Sequence, residues 1–340
     1  GESIANTAKT APAGATIIVG PGLYAPVVFQ AGDIQDGLYF FADVTGELTG
    51  ASPAPVVIEA RGGAAAVKLS GQSNVIFDSF TLRGGAVAGF LAVSSPGTTV
   101  EDCIISGNRD NGVLFQDADN GLVFNNLVTN GGGVGIQVLG SAGVEVINNT
   151  VYGSAQSGLS VSGASSDTFV ENNIFSHNRQ GIVVDASATG YQADFNLNTD
   201  GYHGTGSGPD DVLTDPELIF PAQGDPTGGA DFHLAQSSPA IDAGDANIGA
   251  DLEAFLEQLT TQSDGTLDSP PPDLGYHYPA PVQPTPVVKS TRTATPRPGT
   301  PTATRKPVTG TPTRTLTPTT TPKGAHGGTP TPRPTKTPRR

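Results

Sequence analysis

Between residues 76 and 184, apolar and polar positions alternate in short bursts rather than at helical spacing. Alternation at period two marks a strand, whose successive side chains face opposite ways. The bursts recur in columns. Ile76, Val100, Val123, Val146 and Val170 form one, and Phe80, Ile104, Leu127, Thr150 and Ile174 a second. A third strand supplies Phe90, Val113, Ile136, Leu159 and Ile182, with Ala92, Phe115, Val138, Val161 and Val184 two places on. Gly89, Gly112, Gly135, Gly158 and Gly181 open that third burst at intervals of 23 residues. Polar pairs mark the turn between the first two bursts: Asp78-Ser79, Asp102-Cys103, Asn125-Asn126, Asn148-Asn149 and Asn172-Asn173. Self-similarity at such a period is the signature of a solenoid, in which a unit buries its apolar face only against its neighbours. Three short strands per unit leave no room for a helix and require coil-on-coil parallel pairing. The pattern predicts an all-β parallel β-helix of about nine coils.

The flanks read differently. Residues 2–13 (ESIANTAKTAPA) form a short helix ending near Pro12, followed by a strand from Ala15 to Val19 and the turn Gly20-Pro21-Gly22. Such a helix covers the open end of a first coil, whose bare backbone would otherwise template aggregation. After Asn196 the rhythm loosens into the acidic, Gly-rich DGYHGTGSGPDDVLTDPE, then a final coil near Asp231 to Leu234. Leu252 to Leu259 reads as the remaining helix, within a C-terminal cap that closes at Tyr276 to Tyr278. The domain reading is a cap helix and irregular first coils over 1–55, regular coils over 56–235, a C-terminal cap over 236–283 and a tail over 284–340.

Asn suits the turn column because it tolerates left-handed backbone angles and its amide both donates and accepts along a stack. The second member of each pair (Ser79, Cys103, Asn126, Asn149, Asn173) is expected to point inward, with Asn126, Asn149 and Asn173 forming a structural ladder. Asn148-Asn149-Thr150 also fits the N-glycosylation pattern, but its place in the column favours a structural role.

The coil pattern VxNNxI followed by a turn and GI, the opening ATIIVGPGLY, and the closing SPAIDAGD and PDLGYHY resemble right-handed parallel β-helix proteins of the pectate-lyase-like superfold. The resemblance covers roughly residues 1–280. It implies a right-handed solenoid, and its members include polysaccharide lyases, epimerases, adhesins and structural surface proteins, so fold alone does not choose among them.

Composition sharpens the picture. Only 6% of residues are aromatic, so the core is expected to rest on small aliphatics. No Met occurs, and a chain starting at Gly1 is expected to have been trimmed, as after removal of an export signal. Cys103 has no partner for an internal disulfide and is expected to be a buried, inert thiol. No apolar run approaches the roughly 20 residues of a membrane span. The net charge of -15 conceals a split: up to residue 284 there are six basic residues against all 32 acidic ones, whereas the rest carries eleven bases and no acid. An acidic body is a poor partner for DNA, and the tail fits no module that reads bases in sequence. The tail itself, rich in Thr and Pro, cannot make a core; it reads as an extended, polyproline-II-like chain, either a plain disordered spacer or an O-glycosylated stalk. Thr300, Thr302, Thr311, Thr313, Thr317, Thr321, Thr329 and Thr331 are its candidate O-glycosylation sites. A cationic tail beside an acidic body is expected to join copies of the chain into an extracellular filament or surface layer, through salt-sensitive attraction.

In the lyases that the chain resembles, carboxylates bind calcium and an Arg or Lys takes a proton next to a uronate carboxylate, on the outer face of the strand after the long turn. The corresponding outward positions are Leu91, Leu114, Gln137, Ser160 and Val183. None is an acid or a base. The residual candidates are Arg109, Asp110, Asp117 and Asp119 in one coil and His177, Arg179 and Asp185 in another, with Arg109, Asp117, Arg179 and Asp185 the leading four. Asp117 and Asp185 stand three coils apart, about 14 Å, too far to share an ion. Calcium candidates are Asp210, Asp211 and Asp215, beside Asp200, and a second group of Asp242, Asp245 and Asp251. His203, His233 and His277 lack a second ligand at metal spacing. The sequence reading is a secreted, cofactor-free structural or adhesive protein whose partners are itself and glycans. The alternatives are a lyase or epimerase on the same fold, and a carbohydrate-binding protein.

Overall fold

The computed structural model describes residues 3–219, 231–245 and 247–280. The chain divides into two units, Gly1–Gln283 and Pro284–Arg340. Every described residue belongs to the first unit, and the tail with its threonine candidates lies outside them.

Three parallel sheets of eight strands each make up the body. Sheet A runs from Thr16–Val19 to Gln192–Asp194, sheet B from Gly22–Tyr24 to Leu197–Asn198, and sheet C from Val27–Phe29 to Tyr202–His203. Each circuit adds one strand to A, B and C in turn, so the fold is a parallel β-helix of eight coils, one fewer than the period predicts. The stretch expected to form a last coil leaves the stack: Leu234 bridges antiparallel to Leu218 and parallel to Gln262.

The register identifies the inward row of sheet A. Val100, Val123, Val146 and Val170 align and are fully buried. Their predecessor is Phe77 rather than Ile76, because Val100 pairs with Phe77 and Thr99 with Ile76. The third coil is therefore displaced by one from the sequence alignment. Ser79 and Phe80, not Asp78 and Ser79, stand level with Asp102 and Cys103, and Thr81, not Phe80, heads the sheet B column. Backbone angles agree: Ser79, Asp102, Asn125, Asn148 and Asn172 are all left-handed, with φ of 68, 55, 49, 53 and 59°.

The expectation of a small-aliphatic core fails at the N-terminal end. Phe29, Phe40, Phe77, Phe80, Phe90 and Phe115 are fully buried there, and Phe40 stacks on Phe77 with ring centroids 4.4 Å apart. Aromatics are few but concentrated: six of the eight fully buried Phe residues among the described ones lie in the first four coils. Toward the C-terminal end the core is mostly Val, Ile and Leu. Helix α1 (Ile4–Thr10) starts at Ser3, whose hydroxyl accepts the Asn6 amide at 3.1 Å, and buries Ile4 and Ala8 in the same core. It thereby covers the apolar end of the first coil.

The glycine beat has a steric cause. A Cβ on Gly112 would lie 2.3 Å from Cγ1 of Val128 and 2.6 Å from the Gly135 carbonyl oxygen, both on the next coil. Coils this close tolerate no side chain there.

At the corner between sheets A and B the left-handed residue interrupts the backbone ladder and leaves the next amide without a partner. The following coil supplies one. Oδ1 of Asn126 accepts the Cys103 amide, Asn149 that of Asn126, Asn173 that of Asn149 and Asn196 that of Asn173, at 2.9–3.1 Å. The Nδ2 groups donate to carbonyls such as Val123 and Ile147. Each rung contributes about 1 kcal/mol net, and an orphaned amide costs about 1–3 kcal/mol.

The segment expected to cap the C-terminal end lies along the flank instead, as a strap over this corner. Asn172 accepts the Asp245 amide at 2.9 Å, Nδ2 of Asn148 donates to the Asp273 carbonyl at 3.1 Å, and Thr150 accepts the Tyr276 amide at 2.9 Å. Asn125 both accepts from the His277 amide (2.6 Å) and donates to its carbonyl (3.0 Å). The strap thus runs from the seventh coil back toward the third. Helix α2 (Ala250–Leu256) packs Leu256 onto Phe124 and Ile147 outside sheet A, while Leu218, Phe232, Leu234, Leu274 and Tyr276 cover Leu127, Ile174 and Leu197 outside sheet B.

Candidate functional site

The outward row of sheet C reads Lys68, Leu91, Leu114, Gln137, Ser160, Val183 and His203 over successive coils. Lys68 and His203 extend the row beyond the five residues legible from the repeat. Leu91 and Leu114 join Ala65 and Ala88 in an apolar patch, and Nδ2 of Asn111 donates to Oε1 of Gln137 at 3.1 Å.

The candidate catalytic residues do not converge. Arg109 and Asp110 precede the strand Asn111–Gln116 and Asp117 follows it, so about 20 Å of strand separates them. Arg179 and Asp185 likewise bracket the strand Gln180–Val184. Asp185 accepts the Ser187 amide at 2.8 Å and its hydroxyl at 2.6 Å, and these bonds hold its carboxyl below the usual range. Asp119 accepts the Ala142 amide at 2.8 Å. Asp117, like His177, sits at a left-handed turn position, and Nδ1 of His177 bonds the Ser176 hydroxyl at 2.9 Å.

The calcium candidates serve the frame. Asp211 is the last rung of the Asn ladder: Oδ1 accepts the Asn196 amide at 2.7 Å, and Oδ2 accepts the Gly208 amide (2.6 Å) and the Tyr202 hydroxyl (2.5 Å). Asp210 donates its amide to Asp194 at 2.9 Å, and Asp215 accepts from the Glu217 amide at 2.8 Å. Burial, with Asp210 and Asp211 nearby, raises the Asp194 carboxyl above its ordinary range despite the amides it accepts. In the second group, Asp242 donates its amide to Asp273, and Asp245 accepts that of Asn247. Among the described residues, no three His, Cys, Asp or Glu side chains come together in a way that could hold a metal ion.

Two further ladders escape the repeat reading. Between sheets B and C, Asn108 accepts the Gly85 amide, Asn178 that of Ser154 and Asp200 that of Asn178, at 2.8–2.9 Å. Between sheets C and A the rungs are hydroxyls: Ser141 accepts the Ala118 amide and Ser165 that of Ser141. The residue at the rung position changes identity, from Asn to Asp in one row and from Gln to Ser in the other, which hides both rows in the sequence. The near-constant spacing of these acceptors, 22–24 residues from rung to rung, is the signal that could have revealed them.

Chemically denser ground lies under the strap. His277, fully buried, bonds the Gly275 carbonyl through Nδ1 at 3.0 Å and Asp268 through Nε2 at 2.9 Å. Asp273 accepts the Asp242 amide at 2.7 Å and the Thr261 hydroxyl. Burial, with Asp268 adding to it, raises the Asp273 carboxyl above its usual range although His277 and these donors oppose the shift. Beside this cluster opens a cavity of about 490 Å³ between strap, α2, the 44–55 loop and the corner of the third and fourth coils.

Residues 63–208 match the family model described as a right handed beta helix region. No match to a curated protein was found. Among solved structures the chain is similar to pectate lyase Pel9A, with 12% identity, coverage of 82% of this chain and 91% of that one, and a TM-score of 0.41. It is also similar to the periplasmic alginate epimerase AlgG, at 13% identity and a TM-score of 0.33, covering 50% of each chain; it thus spans about half the length of that protein. The A-module of the Azotobacter vinelandii mannuronan C-5 epimerase AlgE4 matches at 18% identity over 56% of this chain and 70% of that one, with a TM-score of 0.33. Strand pairing makes the body a parallel β-helix of eight coils, and within it residues 63–208 match a right-handed β-helix repeat.

Proposed function

We propose that this protein is a non-catalytic structural or adhesive component of the cell exterior, its β-helix a stiff spacer and its basic Thr/Pro-rich tail an O-glycosylated tether that joins copies of the chain or binds surface glycans. One observation carries the reading: the polar side chains that the repeat supplies at its corners are engaged in holding coil to coil and strap to coil. The residues flanking sheet C stand at opposite ends of its strands and cap turns. Uronate chemistry needs an acid, a base and a charge-neutralising group within reach of one sugar. The acidic body also repels polyuronates.

The test pairs two measurements on the full chain. Incubation with polygalacturonate or alginate, with and without calcium, is expected to yield neither unsaturated uronates nor altered epimer ratios. Electron microscopy is expected to show assemblies that vanish when residues 284–340 are deleted. Turnover of either polymer would replace this reading with a lyase or epimerase, and equal assembly without the tail would remove the tail's role.

A further inference from the structure

The cavity beside the strap, about 490 Å³ in volume, falls within the size range of ligand sites. One wall is the ring-rich end of the strap, Tyr276 and Tyr278, whose rings meet edge to face at 4.7 Å. Phe255 and Leu259 near α2, and Pro53 and Pro55 of the 44–55 loop, supply further walls. Tyr278 is held in place by stacking on His233 at 3.8 Å and by accepting the Phe232 amide at 2.8 Å. Tyr276 is only 6% exposed, yet its hydroxyl makes no hydrogen bond among the described residues. That hydroxyl is not sealed in the interior, so its open side is the cavity. The Thr81 hydroxyl, at the coil corner, is likewise unbonded among the described residues. The walls thus offer rings and prolines to an apolar surface, and two hydroxyl donors to acceptors.

An extended, proline-rich peptide meets both demands. Proline lacks an N–H, so such a segment presents carbonyl acceptors with few donors. Its rings pack into aromatic-lined grooves, the recurrent way in which polyproline-II segments are held. A small apolar molecule would leave both hydroxyls without an acceptor. The chain itself supplies the matching chemistry, since residues 284–340 hold 13 prolines, eleven bases and no acid. Pro298 and Pro301 stand three apart, the spacing that brings two side chains to one face of a polyproline-II segment, with Arg297 beside them. Charge agrees with this pairing. Among the described lining residues there is no Lys or Arg. Glu47, on the loop wall, and Glu257, between Phe255 and Leu259, are exposed, and their carboxylates make no hydrogen bond or ion pair among the described residues. The chain up to residue 284 holds six basic residues against 32 acidic ones, so the field around the cavity attracts a basic segment and repels an acidic one.

We propose that this cavity docks residues 297–301 (RPGTP) of a second copy's tail, the two prolines against the Tyr and Phe rings and a carbonyl on the Tyr276 hydroxyl. The inference rests on the reading of the tail as the joint between copies. Its receptor for testing is the full chain carrying Pro298→Ala and Pro301→Ala, whose own tail then no longer competes. Calorimetric titration with an unmodified synthetic peptide of residues 292–303 (RTATPRPGTPTA) is expected to show saturable binding. That binding is expected to be about tenfold or more tighter than for the equally charged peptide with both prolines replaced by alanine. Tyr276→Phe in the receptor removes only the hydroxyl, keeping the ring and the amide's bond to Thr150, and is expected to weaken binding about three- to tenfold. Equal binding of the two peptides, undiminished binding by the Tyr276→Phe receptor, or no saturable binding would each overturn the proposal. The two readings fail separately. Assembly lost on deletion of residues 284–340 with no peptide binding overturns the cavity's role alone, and peptide binding with assembly indifferent to that deletion overturns the joint alone.

Discussion

At Gly112, Gly135 and their equivalents a hydrogen atom takes the place where the next coil's core residue and backbone press in. Gly112→Ala is expected to destabilise by about 1–3 kcal/mol, the cost of overpacking, whereas Gly107→Asn, with φ of 61° and nothing within 4 Å of its Cβ, is expected to cost well under 1 kcal/mol. Denaturant midpoints of the two variants provide the comparison. Asn149→Ala removes the acceptor of the Asn126 amide together with three donations, and is expected to cost about 2–4 kcal/mol by the same measurement. Asp43 gives a pH signature. Burial works against its ionisation, yet bonds from the Thr49 hydroxyl and amide, the Thr45 hydroxyl and the Leu48 amide outweigh it and lower its carboxyl below the usual range. A depressed folded-state value means stability that is fully present above the ordinary Asp value and is lost as pH falls through the lowered one. The thermal advantage of the native chain over Asp43→Asn is therefore expected to shrink between about pH 5 and pH 2. An unchanged gap would show that the bonds are indifferent to charge.

Among elements, the strap is where sequence and structure part. The motifs SPAIDAGD and PDLGYHY were visible as a closing signature, but a segment without a period carries no information about which face it will lie on. Its docking partners were in plain view as the first Asn of each pair. What hid their role is that a left-handed Asn is already accounted for by its backbone angle. The regular coils were legible because one steric demand recurs at one spacing. The third coil was misread by one residue because Phe77 and Phe80 occupy positions that Val and Asn or Cys hold later, so polarity pointed to the wrong neighbour. The candidate catalytic residues were grouped by nearness along the chain, which an extended strand turns into separation. Asn125→Gly keeps the turn's backbone freedom and removes both bonds to His277. It is expected to speed amide exchange at Tyr276 and His277 roughly tenfold, in line with about 1–2 kcal/mol of lost docking, while coil amides such as Val151 keep their protection.

On the scale of the whole body, eight coils stacked at about 4.8 Å give a solenoid roughly 38 Å long. Its stability is a sum of neighbour contacts, stronger where Phe rings interlock in the first coils and thinner where two of the eighth coil's three strands shorten to two residues. Phe77→Ala is accordingly expected to cost about 3–5 kcal/mol and to lower the thermal midpoint more than Val184→Ala at the opposite end. The path of the strap sets how this body bears load. Its last described residues lie against the third and fourth coils, so a force entering at Ala280 meets the side of the stack. Directed along the stack, that force shears the contacts at Asn125, Asn148, Thr150 and Asn172 together; directed outward, it peels them singly, beginning at His277. The joint is a zip fastener, firm along its track and easily opened across it.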